Sequence, residues 1–250
     1  MEITRDDINH VYYVNGRRLD SSVTKFTGNF FDDFDSALIL NRCSKKKEYS
    51  HINEKIRKMY ISCEWEQKRV IGSVLHKKIE NFYNQKDDDE DIYKFDFVKD
   101  PLLSYFSKDK FIKIIEIKYA NFITMHKYLL SNYKVCANEY MIFGHIHGIE
   151  IGGTINMLFW SNQAKMEVII VDWKSNDNIY NYQTTVQKET SLFVGEKCDN
   201  IKKYSCQLHS YKFILEKYYH FKVVALLIIN VCDNSSIIKI NDHCKCFDIL

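Results

Sequence analysis

Nothing constrains the fold of this sequence more than the stretch Val168 to Ser175, VIIVDWKS. Four apolar, β-branched residues run directly into Asp172, Trp173 and Lys174, the pattern of a buried strand that delivers a carboxylate and an amine to its exit. Residues two apart on an extended strand point the same way, so Asp172 and Lys174 project together and Trp173 faces away. A carboxylate beside an ammonium at a strand end can hold a divalent metal and a water. It can equally be a local ion pair at a sheet edge, and the tripeptide alone does not separate the two.

The rest of the chain sets the frame. Its 250 residues, 46% hydrophobic and 14% aromatic, suffice for a packed core. Lys plus Arg number 35 against 33 Asp plus Glu, so no global charge favours nucleic acid and any phosphate site must be a local patch. One proline and eight glycines predict long regular elements joined by short loops. The eight cysteines form no C-x-x-C pair, which argues against a zinc ribbon or an iron–sulfur cluster. The charged start MEITRDDINH carries no secretion signal, and the longest apolar run, Val223 to Ile229, is too short to cross a membrane. A soluble, intracellular protein with reduced thiols is expected.

Read in order, residues 1–20 look like a leader with a hairpin at Asn15-Gly16, and function is expected to lie elsewhere. Hydroxyl caps at Ser21 to Thr24 precede a helix to about Asn41. A second helix spans about Cys63 to Asn84, with Gly72, His76 and Glu80 recurring along one side. Asp87 to Asp91 reads as an exposed acidic loop, and a third, aromatic-rich helix runs from about Lys108 to Ser131. The period then changes to two, predicting strands at Tyr133 to Phe143, Gly148 to Trp160 and Glu167 to Lys174, with His145 and His147 in a turn. A hairpin about Asn162 would set Asn156 beside Asp172. Residues 176–200 read as a loop or flap, followed by a helix from Lys202 to Tyr219, strands Lys222 to Val231 and Ile237 to Ile240, and an edge strand after Cys244. With neither repeat nor linker, one domain over 1–250 is expected, with a mostly helical part at 21–132 and a sheet core at 133–250.

The order is thus a helix with G-x-x-x-H, a strand with Glu139, a strand with Gly153-Thr154-Ile155-Asn156, a strand with D-W-K, and a helix with Gln207 and Tyr211 as Q-x-x-x-Y. This resembles the RecB-type branch of the PD-(D/E)xK nuclease superfamily, over roughly residues 65–220. The Ser22-Val23-Thr24 and D-W-K-S stretches are similar to mitochondrial genome maintenance exonucleases and to nuclease domains of large DNA viruses. The resemblance implies an α/β, restriction-endonuclease-like core, a central mixed β-sheet flanked by helices. It also implies hydrolysis of DNA, held at a free or single-stranded end, with one or two Mg²⁺ or Mn²⁺ ions. His76, residue 156, Asp172 and the Trp173 carbonyl would surround the metal, Lys174 would orient water or stabilise charge, and Glu139 would be a ligand or support one. Gln207 and Tyr211 would contact the substrate, and Tyr180, Tyr182 and Lys188 could stack on bases or pair with phosphates. Gly72 would leave room for a neighbour.

One departure matters. The family carries Asp where this chain has Asn156. An amide offers one neutral oxygen and a competing donor where a carboxylate brings charge, so cation binding should weaken and hydrolysis be impaired. Either the residue was substituted to trap an uncleaved complex, or the natural site is impaired. Persistence of Asp172, Lys174, His76, Gln207 and Tyr211 favours the first. The rival readings are an inactive DNA-binding module and a scaffold on the same fold.

Overall fold

The computed structural model describes residues 2–6, 9–33, 35–47, 50–86, 107–161, 166–177, 179–180, 184–189, 191–241 and 243–247. They divide into two compact units, Met1–Asp32 with Thr124–Leu250, and Asp33–Ile123.

The first unit is built on a mixed sheet. Strands β5 (Lys134–Ile146), β6 (Ile149–Trp160) and β7 (Glu167–Lys174) run antiparallel in succession. Strand β10 (Lys222–Asn230) lies parallel to β7, and β11 (Ser236–Lys239) closes that edge. A two-residue strand, β4 (Ser21–Ser22), runs parallel to β6 at Ile151 and Gly152. Because β7 and β10 are parallel, the chain must cross over between them. It does so through α5 (Asn200–Tyr218), capped by the Asp199 side chain accepting from the Lys202 amide. Helix α5 and the six-residue α1 (Val23–Gly28) cover the sheet with Val23, Leu208, Tyr211 and Ile214 against Ile142, Ile155, Ile170 and Ile228. All residues of β7 up to Trp173 are buried, as its apolar run predicts.

The Asn15-Gly16 turn forms as expected, both residues having positive φ. The segment around it is no detached leader. Strands β1 (Ile3–Asp6), β2 (Val11–Val14) and β3 (Arg17–Arg18) make a three-stranded antiparallel sheet that packs on the main one through Tyr12, Val14, Leu19 and Phe143. Within the presumed flap, β8 (Thr184–Thr185) and β9 (Lys197–Cys198) pair with each other.

The described residues of the second unit are mostly helical. Its core is formed by Val70, Ile71 and Val74 of α3 (Glu54–Tyr83) against Phe111 and Ile115 of α4 (Lys108–Leu130), whose last turns belong to the first unit. The buried Lys78 ammonium is held by Glu116 at 3.0 Å and lies 4.6 Å from the Tyr119 ring centre.

Several boundaries differ from the expectations. The helix expected from Ser21 to Asn41 is two helices, α1 and α2 (Ser36–Ser44), because Asp35 caps a new start by accepting from the Leu38 amide. Helix α3 begins nine residues earlier than expected, at the Asn53 cap. His145 is in β5 rather than in a turn, leaving the two-residue turn to His147 and Gly148, both with positive φ. The tail holds a 3₁₀ turn, Lys245–Phe247, in place of an edge strand. The acidic run Asp87 to Asp91 and Tyr182 lie outside the described residues. No helix among the described residues is long and apolar enough to cross a membrane.

Candidate active site

Strand β6 has one edge covered along its length by β5, so β4 and β7 share the other. Strand β4 reaches Gly152, and β7 begins its pairing at Met157 with Val171, which leaves residues 153–156 of β6 between them. Beyond Val171 the strand β7 parts from β6 while staying paired with β10 as far as Lys174 and Asn230. The sheet therefore splits at the D-W-K stretch.

The register sets three polar residues in one row across that split. Asn138 pairs with Met157 and Tyr140 with Ile155, so Glu139 stands opposite Asn156. Met157 and Val171 are the last pair of the β6–β7 ladder, so Asn156 and Asp172 are the next residue on each strand and flank the mouth of the split. The register that was expected to set them side by side runs as far as the pair beside them. Glu139 has φ +43°, a left-handed conformation unusual for a residue with a Cβ and costing on the order of 1 kcal/mol or more. That twist follows a register shift between Val135 and Ala137 and turns the carboxylate so that its Oε1 accepts from Asn156 Nδ2 at 3.2 Å. The amide orientation is fixed by this bond, since an amide oxygen could not donate to a carboxylate. Asn156 Oδ1 is then buried with no hydrogen-bond donor.

Asp172 is buried, and its Oδ2 lies 2.8 Å from Lys174 Nζ. The contact is an ion pair without hydrogen-bond alignment, so Oδ2 keeps acceptor capacity. Lys174 also sits 4.4 Å from the ring centre of Tyr204, one turn before Gln207 on α5. Burial penalises the Lys174 ammonium, but the attraction of Asp172 and Tyr204 outweighs it and holds the amine above its ordinary value. Lys174 is therefore a cation at neutral pH. Trp173 is buried between the two. Lys174 O accepts from the Val231 amide on the β10 side, and successive carbonyls alternate along a strand, so the Trp173 carbonyl points to the split.

Gln207 Nε2 donates to Tyr211 Oη at 2.9 Å, as their one-turn spacing allows. Burial pushes the Tyr211 phenol far up, Gln207 opposes this only partly, and Tyr12, Asp172 and Glu139 add to it, so the hydroxyl stays neutral. The two glycines of β6 explain how these rings come so close. A Cβ on Gly153 would lie 2.6 Å from the Tyr211 ring, and one on Gly152 would lie 2.5 Å from Tyr12 Cβ. Neighbouring strand residues face opposite ways, so Tyr211 and Tyr12 clasp β6 from its two sides.

A cleft of about 500 Å³ opens here, lined among others by Glu139, Thr154, Asn156, Gln207 and Tyr211, and by Arg5, His10, Tyr12, Arg18 and Asp20 from the N-terminal segment. Asp172, Lys174, Tyr180 and Lys188 do not line it. Tyr180 is exposed, and the Lys188 amide donates to Asp32 Oδ1 at 2.8 Å. His76 lies within α3 of the helical unit, on one side of the helix with Gly72 and Glu80, whose carboxylate is paired with Lys77 at 2.9 Å. Sequence reasoning missed Tyr12, Tyr204, Thr154, Arg5 and Arg18. Only the Tyr204 to Gln207 to Tyr211 spacing carried a signal, a continued stripe on the Q-x-x-x-Y helix.

Among the described residues, no three His, Cys, Asp or Glu side chains converge to hold a metal. Glu139 and Asp172 offer carboxylate oxygens and Asn156 its Oδ1, and that buried, donorless oxygen suits a hard cation better than apolar packing.

No protein-family model and no curated protein matches the chain. Two of the solved structures that are similar to it illustrate the likeness. One is described as a "putative exonuclease" of Eubacterium rectale, 15% identical over 70% of this chain and 59% of that one, with TM-score 0.43. The other, a protein designated SSO0001, is 12% identical over 68% of this chain and 77% of that one, with TM-score 0.30. The chain spans less than two thirds of the length of the first.

Proposed function

We propose that the chain is a nuclease-type protein that holds a nucleic-acid phosphodiester at the split of its sheet, with hydrolysis impaired by Asn156. The observation that carries this reading is the row of Glu139, Asn156 and Asp172 on three neighbouring strands, with Lys174 held as a cation beside it. It is supported by the resemblance of the ordered motifs to the PD-(D/E)xK superfamily.

In this reading Glu139, Asn156 Oδ1, Asp172 and the Trp173 carbonyl would hold a Mg²⁺ or Mn²⁺ ion, and His76 is assigned to it by the resemblance alone. When bound, the ion supplies charge neutralisation at the phosphate and a more acidic water. The chain's own residues do the rest. Lys174, kept protonated, stabilises negative charge and orients water; general-base action would need a depressed pKa, and the Asp172 contact works against that. Gln207 and the neutral Tyr211 hydroxyl offer hydrogen bonds to a sugar or phosphate from α5. The strand so held would be DNA with a single-stranded free end, cleaved by exonuclease action.

The test is an assay of labelled single- and double-stranded DNA with Mg²⁺ or Mn²⁺, comparing the parent chain, Asn156→Asp, and Asn156→Asp with Lys174→Ala. The expected result is little or no cleavage by the parent, a gain with the first change and loss of that gain with the second. If Asn156→Asp gains nothing, the hydrolytic reading fails. One observation favours a second reading, a DNA-binding module without catalysis. The Asn156 amide donates to Glu139 Oε1, so residue 156 brings no charge of its own and engages one of the carboxylate oxygens that hydrolysis would need.

A further inference from the structure

The N-terminal segment gives the cleft a cationic side that none of the motifs used above supplies. Arg5, His10, Arg18 and Lys25 line it, against Asp20 and Glu139. Two features show that this side is built rather than incidental. Arg5 Nη1 donates to Thr154 Oγ1 at 3.3 Å, and the same hydroxyl is bonded to Tyr12 Oη at 2.9 Å, so β1 and β2 are both fastened to β6 within the cleft. The neighbouring Arg17 does not line the cleft and is held by Glu150 through its two terminal nitrogens, Nη1 and Nη2, while Asp20 accepts from the Glu150 amide at 3.0 Å. Charge on this N-terminal sheet is thereby sorted, with Arg5 and Arg18 lining the cleft and Arg17 paired with Glu150 outside it.

Thr154 stands two residues before Asn156 on the same strand, so the hydroxyl that Arg5 holds belongs to a residue roughly 7 Å along β6 from Asn156. That is about one nucleotide's step along an extended backbone. We infer that Arg5, Arg18 and Lys25 form a second anion subsite, taking the phosphate that adjoins the one at the split, so that the N-terminal sheet clamps a nucleic-acid strand against β6. The inference deepens the proposed function and rests on its placing of the strand, but it needs neither a cation nor turnover. A guanidinium fork and an ammonium suit phosphate oxygens, and contacts of this type carry affinity without reading sequence.

The experiment is a salt titration of binding in EDTA, with a fluorescein-labelled oligodeoxythymidylate followed by anisotropy. Arg18→Ala with Lys25→Ala is compared with the parent and with a charge-matched control, Lys134→Ala with Lys217→Ala, whose residues lie outside the cleft. Arg18, Lys25, Lys134 and Lys217 are all exposed, so all variants should fold, which thermal melts verify. The expected result is affinity lower by about tenfold or more for the cleft variant, and a slope of log K against log salt shallower by about 1.4, two single-strand phosphate contacts at ~0.7 each. The control should keep the parent's slope. Equal affinity and slope in the cleft variant, or equal losses in cleft variant and control, would overturn the subsite. Because no hydrolysis is involved, a failure of Asn156→Asp to cleave DNA leaves this result standing, and a flat salt response leaves the hydrolytic test standing.

Discussion

Replacing Asn156 by Asp should make stability depend more steeply on pH and on a divalent cation than it does in the parent. In the parent, the amide donates to Glu139 Oε1 at 3.2 Å. In the variant two carboxylate oxygens share that separation, and at an effective dielectric of about 20 two unit charges so placed repel by about 5 kcal/mol. Protonation limits the cost. Keeping a carboxyl with an ordinary pKa of about 3.9 neutral at pH 7 takes about 4 kcal/mol, so the penalty is bounded there and should fall between roughly 2 and 4 kcal/mol. The sign follows from linkage: the pair's upper folded-state pKa is raised above the unfolded value, so the penalty is absent below about pH 4 and grows as pH rises through the folded value. Urea melts of parent and variant at pH 4 and 7.5, in EDTA and in Mn²⁺, measure it. Mn²⁺ should restore the variant at pH 7.5, because a ligand that binds only the folded state stabilises it. A variant as stable as the parent at pH 7.5 in EDTA, or one whose loss is the same at both pH values and indifferent to Mn²⁺, would refute the reasoning.

Three further outcomes are expected. Lys174→Met leaves Asp172 buried without its counter-ion and should cost about 3 kcal/mol in urea melts, the low end for a broken buried pair because Lys174 keeps 17% exposure. Gly153→Ala drives a Cβ to 2.6 Å from the Tyr211 ring and 2.8 Å from Val23, both buried, and should cost about 1–3 kcal/mol while quenching or shifting tyrosine fluorescence. Hydrogen bonds from Lys202 and Lys245 hold the Glu196 carboxyl down to about 2, so its contribution is present above the unfolded value near 4 and lost as pH falls towards 2. Since Glu196 is partly exposed, Glu196→Gln should cost less than about 1 kcal/mol at pH 7, and less still in 1 M salt.

The parts of the fold that were legible in the sequence are those where one periodicity dominates. The seven buried residues of β7 and the alternating stretch of β6 announced themselves because burial on a strand writes a pattern of period one or two. The helices α4 and α5 were legible by their period of four, to within one or two residues at each end. The break between α1 and α2 was missed because Phe26, Phe30 and Leu38 keep helical spacing across it, and only the Asp35 cap marks the restart. Part of the candidate site was legible where it sits on consecutive elements: Asn156 and Asp172 each follow the last pair of two antiparallel strands adjacent in sequence. Glu139 was found by its place in the motif, but its left-handed backbone leaves no trace in the residue type. Arg5 and Tyr12 were illegible because they reach β6 across more than 130 residues of sequence, as was Arg18 of the same small sheet, and nothing local tells a packed hairpin from a leader.

The central claim is that Glu139, residue 156 and Asp172 form one oxygen-lined row that accepts a hard cation. Titration of Mn²⁺ followed by the electron paramagnetic resonance of the free ion tests it most directly, in the parent, Asn156→Asp, and Asn156→Asp with Asp172→Asn. The account predicts that Asn156→Asp binds Mn²⁺ at least about tenfold more tightly than the parent, equivalent to about 1.4 kcal/mol, and that adding Asp172→Asn abolishes the gain. Equal Mn²⁺ binding by all three chains would contradict it.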